Sequence, residues 1–249
     1  MIFTIDAGNT RTKLSMFETN TLIEQHIFDN SNLEKKISTF FFNYPEKPVV
    51  VLSSVINMDQ GAMTWLQKNT ALTIITHTTP LPFKNNYATP NSLGIDRIVL
   101  AAGATLLYPN QNKLIIDAGT CITYDFVNIH EEYLGGGISP GLQLRYKALN
   151  DYTAKLPLLQ LNNIDYLIGN STEQSIHSGV INGMVQEIDG IINEYKATYP
   201  NLTIILTGGD TLFLAKRLKN IIFANSTFLL ESLNLLYQYT IENGKKNIS

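Results

Sequence analysis

The tetrapeptide Ile-Asp-Ala-Gly occurs twice in this chain of 249 residues, at 5–8 and at 116–119. The copies are 111 residues apart, nearly half the length, and Thr12 and Thr123 repeat at the same offset. Each copy closes a short apolar run, residues 1–5 and 113–116, and opens a polar turn. Such runs predict strands, and residues 12–17 and 123–127 predict the strands that return from the turns. Each copy therefore reads as a β-hairpin with a polar tip. A four-residue match in the same structural context, half a chain apart, points to duplication. The length alone allows one large domain or two modest ones. The repeat narrows this to two related halves, 1–112 and 113–249.

Between the hairpins the pattern predicts a helix over 33–42, with Asn30, Ser31 or Asn32 as its cap. It predicts a strand over 49–52 after Pro48, a helix over 63–68 and a strand over 72–75. Residues 78–93 carry Pro80, Pro82, Pro90 and the pair Asn85-Asn86, and read as loop. A buried helix is expected over 97–107. Past the second hairpin, residues 133–141 read as a tight glycine-rich turn. Helices are predicted over 142–150 and 175–195, the latter with Ser178, Gly179 and Gly183 on one side. A third apolar strand, 203–206, runs into Thr207-Gly208-Gly209-Asp210. Helices over 212–218 and 229–239 follow, then a polar tail from 242 that is expected to fray.

Composition removes several classes. Hydrophobic residues make up 44% of the chain, with 12 Tyr and 11 Phe, which excludes a disordered protein. A single cysteine, Cys121, excludes a disulfide framework and a Cys-built zinc site. His26, His77, His130 and His177 are scattered without metal-ligand spacing. A net charge of −3 gives no reason to expect a nucleic-acid partner. No apolar run reaches the roughly 18 residues that would span a bilayer. The first six residues lack a basic segment and end on an acid, unlike a signal peptide. The expectation is a cytoplasmic protein without nucleic-acid or membrane partners. Charged residues are only 16%, which suggests that some uncharged surface is buried between subunits.

The hairpin tips carry the candidate chemistry. Each strand end presents a carboxylate, and the following glycine lets the backbone approach a ligand closely. Two such tips suit a triphosphate, with Asp6 and Asp117 holding cations, Asn9, Thr10 and Thr120 donating hydrogen bonds, and Lys13 reaching a transferred phosphoryl group. The plainer reading is two ordinary turns, since Asp and Gly favour turns. A second copy weighs against it. Thr207-Gly208-Gly209-Asp210 suits close approach to an adenine or a sugar, and equally a strand-to-helix turn. In Gly94-Ile95-Asp96-Arg97, Asp96 reads either as a helix cap beside a solvated Arg97 or as a base beside an anion-binding Arg97. Spacing does not separate these. Cys121 reads as packing rather than a nucleophile. Neither a Walker loop nor Gly-x-Gly-x-x-Gly is present.

The ordered set Asp6-Ala7-Gly8-Asn9-Thr10, Tyr87, Leu93-Gly94-Ile95-Asp96-Arg97, Asp117-Ala118-Gly119-Thr120 and Gly135-Gly136-Gly137-Ile138-Ser139-Pro140-Gly141 resembles the type III pantothenate kinases. So do Thr153-Ala154-Lys155-Leu156-Pro157, Gly169-Asn170-Ser171-Thr172 and Thr207-Gly208-Gly209-Asp210, and the resemblance spans nearly the whole chain. It implies a duplicated ribonuclease-H-like (actin-like ATPase) α/β fold, two mixed-sheet halves flanking a nucleotide cleft. It implies ATP-dependent phosphorylation of pantothenate in coenzyme A synthesis, with Mg²⁺ and a monovalent cation, K⁺ or NH₄⁺, in a homodimer. By the same resemblance Asp6, Ala7, Gly8, Asn9, Thr10, Arg11, Thr12 and Lys13 form the first phosphate loop. Thr120 contacts ATP, and Asp117 and Asp6 are the metal ligands. Asp96 is the general base. Tyr87, Gly94, Ile95, Asp96, Arg97 and Thr172 bind pantothenate. Cys121-Ile122 departs from the small residues usual after Thr120. Alternatives on the same fold are a sugar kinase, a phosphatase or a non-catalytic nucleotide-sensing regulator.

Overall fold

The computed structural model describes residues 1–44 and 47–246. β1 (Ile2–Ala7) and β2 (Arg11–Glu18) form the first hairpin, pairing antiparallel with Asp6 opposite Lys13 and Ala7 opposite Thr12. β2 continues into β3 (Thr21–Asp29), a strand that the sequence pattern does not announce. Its reason is visible in the side chains. Ile23 and Ile27 are exposed, while Glu24 and His26 share the half-buried face with Leu22 and Phe28. Apolar and polar residues fall on both faces, so the period-2 signal cancels.

On its other side β1 meets the parallel strand β4 (Val49–Ser54), and β4 meets β5 (Ala71–Ile74), giving the order β3-β2-β1-β4-β5. α1 (Leu33–Phe41) and α2 (Gln60–Asn69) pack on this sheet. Leu33, Ile37, Phe41, Ala62 and Leu66 join Phe3, Ile5, Leu14, Val50 and Leu52 in one core. Of the three cap candidates for α1, Asn32 takes the position, in a left-handed conformation and without a side-chain bond to the helix. α2 starts three residues earlier than its apolar pattern because Asp59 caps it, accepting from the N–H of Ala62 at 3.0 Å. β6 (Lys84–Asn85) pairs with Glu132 and Tyr133. α3 (Ile95–Leu107) follows, buried along most of its length.

The second unit repeats the plan. β7 (Asn112–Ala118) pairs antiparallel with β8 (Cys121–Val127), and β9 (Glu132–Pro140) lies beyond β8. After α4 (Leu142–Asp151) and α5 (Thr172–Thr198), β10 (Leu202–Thr207) returns parallel to β7. α6 (Thr211–Ala215) and the short β11 (Phe223–Ala224) complete it. This sheet has six strands, in the order β6-β9-β8-β7-β10-β11, and apart from the added edge strand β6 the order matches the first sheet strand for strand. Ile116, Ile122, Tyr124, Ile181, Met184, Ile188 and Leu206 share its core.

Residues 133–141, expected as a turn, belong instead mostly to β9. Glycine there serves sheet packing. A Cβ on Gly136 would collide with the carbonyl of Tyr124 on β8, and Gly135 adopts a φ of 106° that side chains disfavour. The last described element is α7 (Phe228–Lys246), so the segment from 242 to 246 is helical rather than frayed. Residues 247–249 lie outside the described ones. α7 packs on α3, where Gly103 leaves room for Ser232. By contacts, one unit comprises Met1–Pro109, Glu131–Tyr133 and the chain from Thr227, and the other Asn110–His130 and Leu134–Ser226. The C-terminal helix thus joins the unit that holds the N-terminus, which a single cut in the chain does not describe.

Candidate active site

The first unit gathers two carboxylates and two cations. Asp6 ends β1, 7% exposed, and accepts from the Ser53 hydroxyl at 3.2 Å. Burial lifts its pKa to about 6, Lys13 across the hairpin pulls it down, and the nearby charge of Asp96 pushes it up. Asp96 lies in the first turn of α3, and burial raises its pKa too, against the Arg97 N–H and the Arg97 charge. Its Oδ1 accepts from that N–H at 2.8 Å. A Cβ at Gly94 would collide with the Asp96 carboxylate, so glycine at the helix cap makes room for the acid.

Arg97 is 6% exposed, so the reading of a solvated arginine does not hold. Its guanidinium lies 5.8 Å from the ring centre of Tyr87, within cation–π range. Tyr87 sits against Tyr133, with ring centres 6.0 Å apart. Lys13 and Tyr87 are half-buried, and Asn9, Thr10 and Arg11 are exposed at the hairpin tip. Two residues escaped the sequence pattern. Ser53, at the end of β4, touches Asp6. Asn30 reaches the first tip from the end of β3. The only signal for Ser53 is a polar pair ending an apolar strand.

The second unit holds Asp117, Thr120 and Thr172. Asp117 is half-buried at the end of β7, opposite Thr123. Thr120 is exposed at the tip, and Thr172, also exposed, opens α5 next to its capping Ser171. Backbone holds this tip in place. The N–H of Gly141 donates to the Thr120 carbonyl at 3.1 Å, and that of Asp210 to the Ala118 carbonyl at 3.0 Å. A Cβ on Gly141 would collide with the carbonyls of Gly119 and Thr120. One on Gly208, whose φ is 98°, would collide with Ala118 and the Asp117 carboxylate. The Thr207-Gly208-Gly209-Asp210 turn therefore packs on the second hairpin.

In both tips the glycine N–H closes its own turn, Gly8 to Arg11 at 3.1 Å and Gly119 to Cys121 at 2.9 Å. Phosphate donors must come from other atoms of the tips. Among the described residues, no three His, Cys, Asp or Glu side chains group to hold a metal. A cation at Asp6 or Asp117 would complete its shell with phosphate, backbone or water oxygens, which suits hard ions. The high pKa of Asp6 fits this role, since a cation relieves the penalty of its buried charge.

A family model described as type III pantothenate kinase matches residues 2–194. The type III pantothenate kinase of Flavobacterium johnsoniae is 54% identical over 98% of this chain and 100% of its own. That of Christiangramia forsetii is 46% identical over 96% and 98%. Among solved structures, a conserved putative Baf family transcriptional activator from Campylobacter jejuni aligns with a TM-score of 0.60 at 20% identity, covering 98% of this chain and 99% of that one. A putative N-acetylmannosamine kinase from Listeria monocytogenes aligns at 0.53 and 12% identity, covering 97% and 99%. At these identities the structures speak for the fold, an actin-like ATPase and sugar-kinase architecture of two mixed sheets. Among the described residues no helix is long and apolar enough to cross a membrane.

Proposed function

The chain belongs to the type III pantothenate kinases, and we propose on that premise how its own residues carry the reaction. It phosphorylates pantothenate with ATP, in coenzyme A biosynthesis. The acceptor hydroxyl attacks the γ-phosphorus, the bond to the β-phosphate oxygen breaks, and ADP leaves. The hydroxyl proton passes to Asp96. The observation that carries this assignment is the Asp96 carboxylate in the first turn of α3, given room by Gly94 and set beside the buried Arg97. Arg97 pairs with an anion, the pantothenate carboxylate or the transferring phosphoryl group. Tyr87, Gly94 and Ile95 shape the acceptor pocket, and Thr172 contacts pantothenate.

Residues 6–13 hold ATP phosphates, with Lys13 reaching the transferred group and Thr120 adding a contact. Mg²⁺ at Asp6 would offset phosphate charge, and a monovalent cation at Asp117, K⁺ or NH₄⁺, would do the same there. The halves 1–112 and 113–249 descend from one duplicated unit, a reading supported by their matching strand orders. The enzyme works as a homodimer. Gly179 and Gly183 on α5 have open space where a Cβ would point, and Ile138, Leu167 and Ile168 of the same unit are exposed. It resides in the cytoplasm, where its exposed Cys121 stays reduced.

The test is ADP release with pantothenate, with N-acetyl sugars and with polyphosphate, each with and without potassium. Pantothenate-dependent release that potassium stimulates is expected. Release with a sugar and none with pantothenate would overturn the acceptor.

A further inference from the structure

The tip of the first hairpin is exposed at Asn9, Thr10 and Arg11, yet it must keep one shape to meet a phosphate. Its own turn is closed from the Gly8 N–H to the Arg11 carbonyl at 3.1 Å. Further support comes from a side chain 22 residues away. Asn30, half-buried just past the end of β3, donates through Nδ2 to the Gly8 carbonyl at 3.0 Å and to the Asn9 carbonyl at 3.4 Å. Its Oδ1 accepts from the Thr12 hydroxyl at 2.9 Å. One amide thereby ties both sides of the tip.

We propose that Asn30 is a positioning residue for nucleotide binding, which holds the first tip so that its N–H groups rather than its carbonyls meet the phosphates. The reasoning is stereochemical. A trans peptide is planar, with its C=O and N–H pointing opposite ways. Holding the carbonyls of Gly8 and Asn9 toward Asn30 therefore directs the N–H groups of Asn9 and Thr10 away from it. Carbonyl oxygens that turned toward a polyphosphate would repel it. N–H groups attract it, as in other backbone anion sites.

The chemistry is specific to an amide. Asp at this position keeps an acceptor for Thr12 but has no donor for the two carbonyls, and adds a negative charge beside the phosphate site. Ala removes all three bonds. Asn30 lies outside the reacting groups, so its effect falls on ATP and not on pantothenate. The proposal rests on the reading of residues 6–13 as a phosphate loop.

Two measurements test it: equilibrium binding of Mg-ATP, and steady-state KM values for ATP and pantothenate with thermal melting as control. Asn30→Ala is expected to weaken Mg-ATP binding about tenfold, as loss of such bonds does, with the pantothenate KM unchanged. Asn30→Asp, nearly the same size, is expected to weaken it further with melting close to that of the wild type. ATP affinity unchanged in both variants overturns the brace, as does an equal rise in both KM values. A wild-type protein that binds Mg-ATP but does not turn over pantothenate overturns the acceptor reading alone, and the binding arm still decides the brace.

Discussion

Across the first hairpin Asp6 faces Lys13, and across the second Asp117 faces Thr123. The hairpins share four residues, but their tips differ in length. Ala7 pairs with Thr12, while Ala118 pairs with Ile122, one residue sooner. Thr12 and Thr123, equivalent by sequence count, are therefore not equivalent by pairing. The longer first tip places Lys13 rather than Thr12 across from Asp6, while Asp117 faces a neutral residue in either register, Thr123 as observed or Tyr124 by sequence count. The means of support differ as well. Side chains hold the first site, Ser53 on Asp6 and Asn30 on the tip. Backbone and glycine hold the second, through Gly141 and Gly208. Side-chain support can tune charge. Backbone support fixes shape and leaves the local charge alone. On the mechanism proposed above, proton transfer belongs to the first hairpin's surroundings, and the second acts by position.

The sharpest challenge is Asp96→Asn. It should lower kcat by about a hundredfold or more, the range of a lost general base, with little change in melting. A rate near wild type breaks the division of labour. On the second hairpin, Gly208→Ala should act on the fold instead, because a methyl group meets both a disfavoured φ and the Ala118 carbonyl. A loss of about 3 kcal/mol is expected from overpacking and backbone strain, read as a lower denaturation midpoint.

Asp6→Asn should stabilise the ligand-free protein. The folded pKa of about 6 stands above the ordinary carboxyl value of 3.8, so ionised Asp6 opposes folding. The penalty is full above about pH 6 and gone below about pH 4. Urea melts at neutral pH should show a gain of up to about 3 kcal/mol, and none in mild acid. No pH dependence in that gain would mean that Asp6 is already neutral or well paired.

Lys13→Met is a smaller test of the same contrast. Lys13 lowers the Asp6 pKa, so its loss should raise that pKa and move the acid limb of the pH–rate profile to higher pH. An acid limb left in place would separate Lys13 from Asp6. Cys121→Ala should change least, since the residue is exposed. Stability within about 0.5 kcal/mol is expected, with unchanged turnover.

Much of this was legible in local pattern. The apolar runs at 1–5, 49–52, 113–116 and 203–206 announce the central strands, because a buried strand must be apolar whatever it pairs with. Asp96 was ambiguous between cap and base. The structure gives the cap position to Gly94 and buries Arg97, which removes the cap beside a solvated arginine and leaves the base as the proposed reading. The sequence does not announce β3 because both its faces are mixed, and β9 replaces the expected turn because its glycines serve close strand packing.

The sequence by itself determined the duplicated hairpins, their acids and the family, since these rest on neighbours along the chain. The tertiary structure decided the pairing of Asp6 with Lys13 rather than a threonine, the reach of Ser53 and Asn30, and the return of α7 to the first unit. The physical reason is distance along the chain. Strand register and bonds spanning 47 or 22 residues depend on how distant segments pack, and no local pattern records that.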